Sequence, residues 1–185
     1  SMLIENFYLM CMLFRNYNII PIFVFDGKPP KEKGPTIMRR TKKKKENIIK
    51  YQILEEEMNE ITDLQKKKSI VKQITILKKK SISIKKQNLI DIKLFFDNYG
   101  IQWIVAPGEA DIVCAQLVKT KKAYACLSED MDLFVYGCPR VLRYMSLIRH
   151  NFIIYDIDKI IKKLNISFHH FQVICILSGT DYNSS

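Results

Sequence analysis

The sequence predicts an α/β fold built on a mostly parallel sheet, and three observations carry that expectation. Residues 20–25 form a continuous apolar run rich in β-branched and aromatic side chains, the mark of a parallel strand buried on both faces. Residues 102–105, 108–119 and 123–127 read as strand, helix and strand, a β-α-β unit. Short acidic clusters stand at the carboxyl ends of these strands, where ligands of open α/β sheets gather.

The chain begins with apolar residues at Leu3, Phe7, Met10, Leu13 and Phe14, the spacing of an amphipathic helix over 2–17 that packs on a sheet. The buried strand that follows ends in Asp26-Gly27-Lys28-Pro29-Pro30. Asp26 is either an acid held at the sheet edge or half of an Asp-Gly turn pair. Residues 36–86 are helical in pattern but polar nearly all round, as in a projecting or mobile helical segment. A core-facing helix over 88–99 uses Leu89, Ile92, Leu94, Phe95 and Phe96, and Gly100 stops it.

Two acidic signatures flank the second strand of the β-α-β unit, Pro107-Gly108-Glu109-Ala110-Asp111 and Ser128-Glu129-Asp130-Met131-Asp132. Each sets two carboxylates two positions apart at an element boundary, and both fall at the same edge of one sheet. Two divalent metals held by carboxylates require that arrangement. The alternative is local: Glu109 and Asp111 favour a helix N-terminus, and Asp130 and Asp132 cap the next turn. Beyond them come a strand at 141–144, an extended piece at 152–155, a helix over 156–164 and a last helix, Phe168–Leu177, which delivers Ser178-Gly179-Thr180-Asp181-Tyr182.

Composition narrows the function classes. At 185 residues and 48% hydrophobic content the chain suits one globular domain. Its apolar run near the start, residues 19–25, is far short of the roughly 20 residues that span a bilayer. Glu5 and Arg15 in the first helix, with no basic lead-in or small-residue cleavage site, argue against a signal peptide. Cys11, Cys114, Cys126, Cys138 and Cys175 form no C-x-x-C pair and read as buried free thiols of a reducing compartment. His150, His169 and His170 have no metal-type spacing with them.

Charge is concentrated in one segment. Residues 28–86 hold 19 Lys or Arg against 7 Asp or Glu, a net of +12, while the whole chain carries +11. A basic excess confined to one part of an otherwise neutral domain is the footprint of a phosphate-backbone contact surface. A solvated Lys-rich helix face, or a nuclear localisation signal at Arg39-Arg40-Thr41-Lys42-Lys43-Lys44-Lys45, accounts for the same run.

Four motifs in order now resemble the flap endonuclease/XP-G (Rad2-like) family of structure-specific 5′ nucleases: Val24-Phe25-Asp26-Gly27-Lys28-Pro29-Pro30, Ala106-Pro107-Gly108-Glu109-Ala110-Asp111, Glu129-Asp130-Met131-Asp132 and Leu177-Ser178-Gly179-Thr180-Asp181-Tyr182. The resemblance covers nearly the whole chain and is weakest over 46–86. It implies a PIN-like three-layer α/β fold, with helices on both faces of a mostly parallel central sheet and a basic helical arch at 33–86. It implies metal ligands at Asp26, Glu109, Asp111, Asp130, Asp132 and Asp181, holding two Mg²⁺ or Mn²⁺ ions. Asp111 stands where many relatives have Glu, one methylene shorter.

The resemblance also carries over two arch-base cations as catalytic residues, Lys33 and Arg40, seven residues apart and so on one helical face. Lys28, Arg39, Lys42, Lys43, Lys44 and Lys45 are the corresponding DNA contacts, and the implied partner is DNA with 5′ flaps or single-strand/duplex junctions, met in replication and repair. A sliding clamp is a further implied partner of the full-length protein, although its binding motif is not in this chain. The implied location is intracellular, nuclear in a eukaryote; the Lys, Ile and Asn excess points to an AT-rich genome such as that of a parasite or large virus.

Relatives carry an earlier strand with one more Asp and a later helix-hairpin-helix. The expectation is therefore a single nuclease core incomplete at both ends, which binds flapped DNA but cleaves it slowly or not at all. Two other classes compete. One is a nucleic-acid-binding scaffold of the same fold without catalysis, disfavoured by the intact carboxylates. The other is a haloacid-dehalogenase-like phosphatase, disfavoured because Asp26-Gly27-Lys28 lacks the required Asp-x-Asp.

Overall fold

The computed structural model describes residues 2–61 and 63–180. The chain divides into two compact units, residues 1–31 with 90–185, and residues 32–89.

In the larger unit, α1 (Met2–Asn16) and the body of α4 (Lys86–Tyr99) pack beside a two-stranded sheet of β1 (Ile22–Phe25) and β2 (Gln102–Val105). The strands run parallel in the register Ile22↔Gln102 to Phe25↔Val105, so Asp26 and Ala106 leave the sheet side by side. Aromatic rings make this core. Phe96, fully buried, stacks on Phe23 at 4.2 Å and meets Phe7 edge-on at 5.6 Å. Gly100, at φ +64, ends α4 as the sequence predicts, since this left-handed backbone suits glycine.

A second core lies around β3 (Cys126–Leu127), β4 (Arg140–Ser146) and β5 (Asn151–Asp156). Here β3 pairs parallel with β4, and β4 antiparallel with β5. Leu133, Cys138 and Val141 are fully buried among Ala115 and Val118 of α5 (Ala110–Lys119), Phe134 of α6 (Asp132–Val135) and Ile157 of α7 (Ile157–Leu164). α8 (Phe168–Leu177) adds Phe171 and is pinned by Gln172 Nε2, which donates to the Val135 carbonyl at 2.7 Å.

The smaller unit is built on two helices, α2 (Gly34–Glu60) and α3 (Leu64–Ser81), preceded by a 3₁₀ turn at Lys31–Lys33. Asp63 caps α3 by accepting from the Gln65 and Lys66 amides at 2.8 and 3.4 Å. Ile74 and Asn47 are its buried residues, and Lys78 joins the helices through an ion pair to Glu55 and a face contact with Tyr51. A pair of mostly polar helices gains little from its own core, which explains the weak apolar pattern of this stretch.

The structure corrects several expectations. Among the described residues the strands form two small sheets, not one, because β1 pairs only with β2 and no described strand joins that pair to β3. For the same reason the strand at 20–25 is not buried on both faces: it is an edge strand, and Ile20 before it is 83% exposed. The strand expected over 123–127 shortens to two residues, and the helix expected from 108 starts at Ala110. The extended piece at 152–155 pairs with β4 as a hairpin, and the single turn α6 was not foreseen. Among the described residues no helix is long and apolar enough to cross a membrane.

Removing the ring at the centre of the first core tests this packing. Phe96→Ala should cost about 3–5 kcal/mol in urea unfolding, the range for deleting a buried aromatic side chain. A loss below about 1 kcal/mol would show that Phe96 is not packed as described.

Candidate active site

Asp26 does more than turn the chain. Its Oδ1 accepts a hydrogen bond at 2.8 Å from the amide of Ala110, the first residue of α5 and 84 positions away. Glu109, the residue that precedes the helix, makes no cap bond with its own side chain. The helix start is thus capped by an acid from the loop after β1. The bond is charge-assisted but solvent-exposed, and is worth about 1–2 kcal/mol.

Backbone contact makes the junction tight. The Gly27 amide donates to the Gly108 carbonyl at 2.7 Å, and the Ala106 amide to the Phe25 carbonyl at 2.9 Å. A Cβ on Gly27 would stand 2.0 Å from the Ala106 carbonyl oxygen, so no larger residue fits there. Asp26, Glu109 and Asp111 are gathered by this contact at the positive end of α5, which favours anions.

Glu109 is 7% exposed, and the phenol of Tyr136 donates to its Oε2 at 3.4 Å. Tyr136 closes α6, the turn that begins at Asp132, and its amide donates to the Asp132 carbonyl at 3.0 Å. The second acidic pair is ordered locally: the Asp130 amide donates to Ser128 Oγ at 3.0 Å, and Asp130 Oδ1 accepts from the Asp132 amide at 2.9 Å. Here the turn-forming reading holds, since one oxygen of Asp130 is spent on its own turn.

Glu129 has a different place. Its Oε1 accepts from the Tyr144 amide at 2.6 Å, and its Oε2 lies 3.4 Å from Arg143 Nε, an ion pair without hydrogen-bond alignment. Tyr144 sits at φ +56 where the β4–β5 register slips, so Glu129 satisfies an amide that the bulge turns out of the ladder. Arg143 also donates to the Glu129 carbonyl at 3.1 Å and lies over the Tyr144 ring at 4.8 Å. Glu129 and Arg143 therefore build the loop that carries Asp130 and Asp132.

Beneath the acids lie thiols. A hydrogen bond from Cys126 holds the Cys114 thiol below the usual range, against burial and the negative charges of Asp111 and Asp26. That bond, with burial, pushes Cys126 up, and burial does the same to Cys138. Asp26 and Asp111, although from different elements, thus lie within electrostatic reach of one side chain. The thiols are free, as expected.

Of the remaining site residues, Asp181 lies outside the described residues, and Lys28 is exposed in the loop after β1. Lys33 precedes α2 and Arg40 lies in it two turns on, so the helix puts both on one face. Arg39, Lys42, Lys43 and Lys45 are exposed on the same helix, while Lys44 is half-buried and donates to Ser83 Oγ at 3.3 Å. Among the described residues no three His, Cys, Asp or Glu side chains stand close enough to hold an ion. Sequence reasoning missed Tyr136 and Arg143. Tyr136 reads as one more apolar residue of a core segment, and its position one turn after Asp132 was the available signal.

Comparison with known proteins gives the chain's relatives. The profile of the XPG N-terminal domain matches residues 1–47, and that of the XPG I-region residues 100–181. The chain is 37% identical over 168 residues to flap endonuclease 1 of Methanococcus aeolicus, covering 91% of this chain and 48% of that protein. It is 34% identical over 170 residues to flap endonuclease 1 of Glycine max, covering 90% and 42%. The chain spans less than half the length of these curated relatives. In structure it is similar to flap endonuclease-1 from Methanococcus jannaschii (TM-score 0.62, 26% identity, 96% of this chain and 52% of that one). The catalytic core of Rad2 in complex with DNA substrate shares the fold (TM-score 0.66, 23% identity, 96% and 46%).

The close approach at Gly27 generates a test. Gly27→Ala should destabilise by about 3 kcal/mol or more, since its Cβ meets backbone that cannot swing away. Gly34→Ala, with nothing within 4 Å, should shift stability by less than about 1 kcal/mol in the same urea titration. Equal stability of the two variants would contradict the junction.

Proposed function

The chain belongs to the XPG family of Rad2-like nucleases, and from that premise we propose that it hydrolyses phosphodiester bonds in flapped or branched DNA as a structure-specific 5′ nuclease. The observation that supports this most is the Asp26–Ala110 bond, which brings an acid from 84 residues away to the helix start that carries Glu109 and Asp111. The family is generally divalent-metal dependent.

The donor chemistry fits such ions. Asp26, Glu109, Asp111, Asp130 and Asp132 are all carboxylates, hard oxygen donors that suit Mg²⁺ and Mn²⁺, and no His or Cys is needed. With Asp181 they are the residues that would hold two ions, which when bound lower the pKa of a water and offset charge on the phosphoryl oxygens. The protein's own part is to fix these acids: Gly27 and the Ala110 amide set Asp26 against Glu109 and Asp111, and Glu129 with Arg143 sets the Asp130–Asp132 loop.

In this reading α2 and α3 form the arch that receives the single-stranded flap. Lys33 and Arg40 supply positive charge to the reacting phosphate, a form of electrostatic stabilisation. Lys28, Arg39, Lys42, Lys43, Lys44 and Lys45 neutralise backbone phosphates without reading sequence. The substrate implies work in replication and repair, in the nucleus where the host is a eukaryotic cell, with a sliding clamp as a further partner.

Two measurements test the reading. Calorimetric titration should show Mn²⁺ binding that weakens at least about tenfold in the Asp130→Ala, Asp132→Ala double variant; equal binding would remove these acids from a metal site. Affinity for a single-stranded flap should fall steeply with salt, and replacing Lys42, Lys43, Lys44 and Lys45 by Ala should lower the slope of log K against log salt by about 0.7 per lysine. A slope that the four changes leave untouched would place the DNA path elsewhere.

A further inference from the structure

We propose that Tyr136 is a positioning residue for Glu109, its phenol fixing one carboxylate oxygen so that the other is presented to a divalent cation. The inference rests on the metal-dependent reading of the site and names a residue outside the acidic motifs.

A buried carboxylate needs donors, and Glu109 is the most enclosed of the acids in the two motifs. The Tyr136 hydroxyl meets it across 27 residues of chain, at 3.4 Å from Oε2. The tyrosine itself has little freedom. Its amide is tied to Asp132, its ring packs against the second core, and the Gln172 side chain holds the Val135 carbonyl just before it. At 3.4 Å the contact is longer than the usual O–H···O separation of about 2.7–2.8 Å, so the bond is a weak one in this structure.

The same turn of helix also carries an acid. Asp132 opens α6 and Tyr136 follows four residues later, so one turn places a candidate ligand of the second pair and the donor to Glu109 of the first. A shift of α6 therefore moves both together. Phenylalanine would fill the same volume, so packing alone does not call for the hydroxyl. Groups that orient metal-binding carboxylates commonly account for about 10–100-fold in metal affinity.

The test is a double-variant cycle on the 185-residue chain, with Mn²⁺ binding read by calorimetry and folding by the thermal midpoint. Tyr136→Phe should weaken Mn²⁺ binding about tenfold while leaving the midpoint unchanged. In a Glu109→Gln background the same change should have no further effect, because the group it positions is gone. Tyr136→Phe that binds Mn²⁺ like the wild type overturns the proposal. So does an equal weakening in both backgrounds, or a weakening matched by a lower midpoint, since each marks a general structural role. Absence of Mn²⁺ binding by the wild type overturns the metal-site reading itself, and this inference falls with it.

Discussion

The approach of two backbones at Gly27 is the constraint on which the site depends. The strand that ends at Phe25 and the strand that ends at Val105 run parallel and in register, so their exits are adjacent. The space between them is too small for a side chain at Gly27. Because this residue is glycine, its amide reaches the Gly108 carbonyl and the preceding carboxylate reaches the Ala110 amide. Helix α5 then begins with a foreign acid on its first amide, and its own Glu109 is left to turn inward.

Bringing acids together costs energy, because like charges repel and buried carboxylates lose water. Fixed donors offset part of this cost. The positive end of α5, the Ala110 amide and the Tyr136 hydroxyl all face carboxylate oxygens. Arg143 is engaged with Glu129 and with the Tyr144 ring, and serves the loop. A site held by fixed dipoles keeps its affinity for added positive charge.

Much of this was legible in the sequence, for identifiable reasons. The helices Met2–Asn16 and Phe168–Leu177 announced themselves by apolar content, and Gly100 marked a helix end because its backbone must be left-handed. The acids stood in short motifs at element boundaries, so their identity preceded any coordinates. The sheets were harder. An apolar run such as residues 20–25 looks the same whether its faces are covered or not, and Ile20 turns out exposed. Pairing partners far apart in sequence leave no local mark, so the division into two sheets and the β4–β5 hairpin came only from the structure. The roles of Tyr136 and Arg143 were hidden for the same reason: each acts across the chain, on Glu109 and Glu129.

The central proposal is that the acids ordered by the Gly27 junction and those of the Asp130–Asp132 loop close on a divalent ion as one centre when it binds. Anomalous diffraction from crystals soaked in Mn²⁺ tests it directly. The account predicts anomalous peaks within about 2.0–2.6 Å of carboxylate oxygens from Glu109 or Asp111 and from Asp130 or Asp132, with the Asp26–Ala110 hydrogen bond retained. Peaks confined to other acids, or a helix start displaced from Asp26, would contradict it.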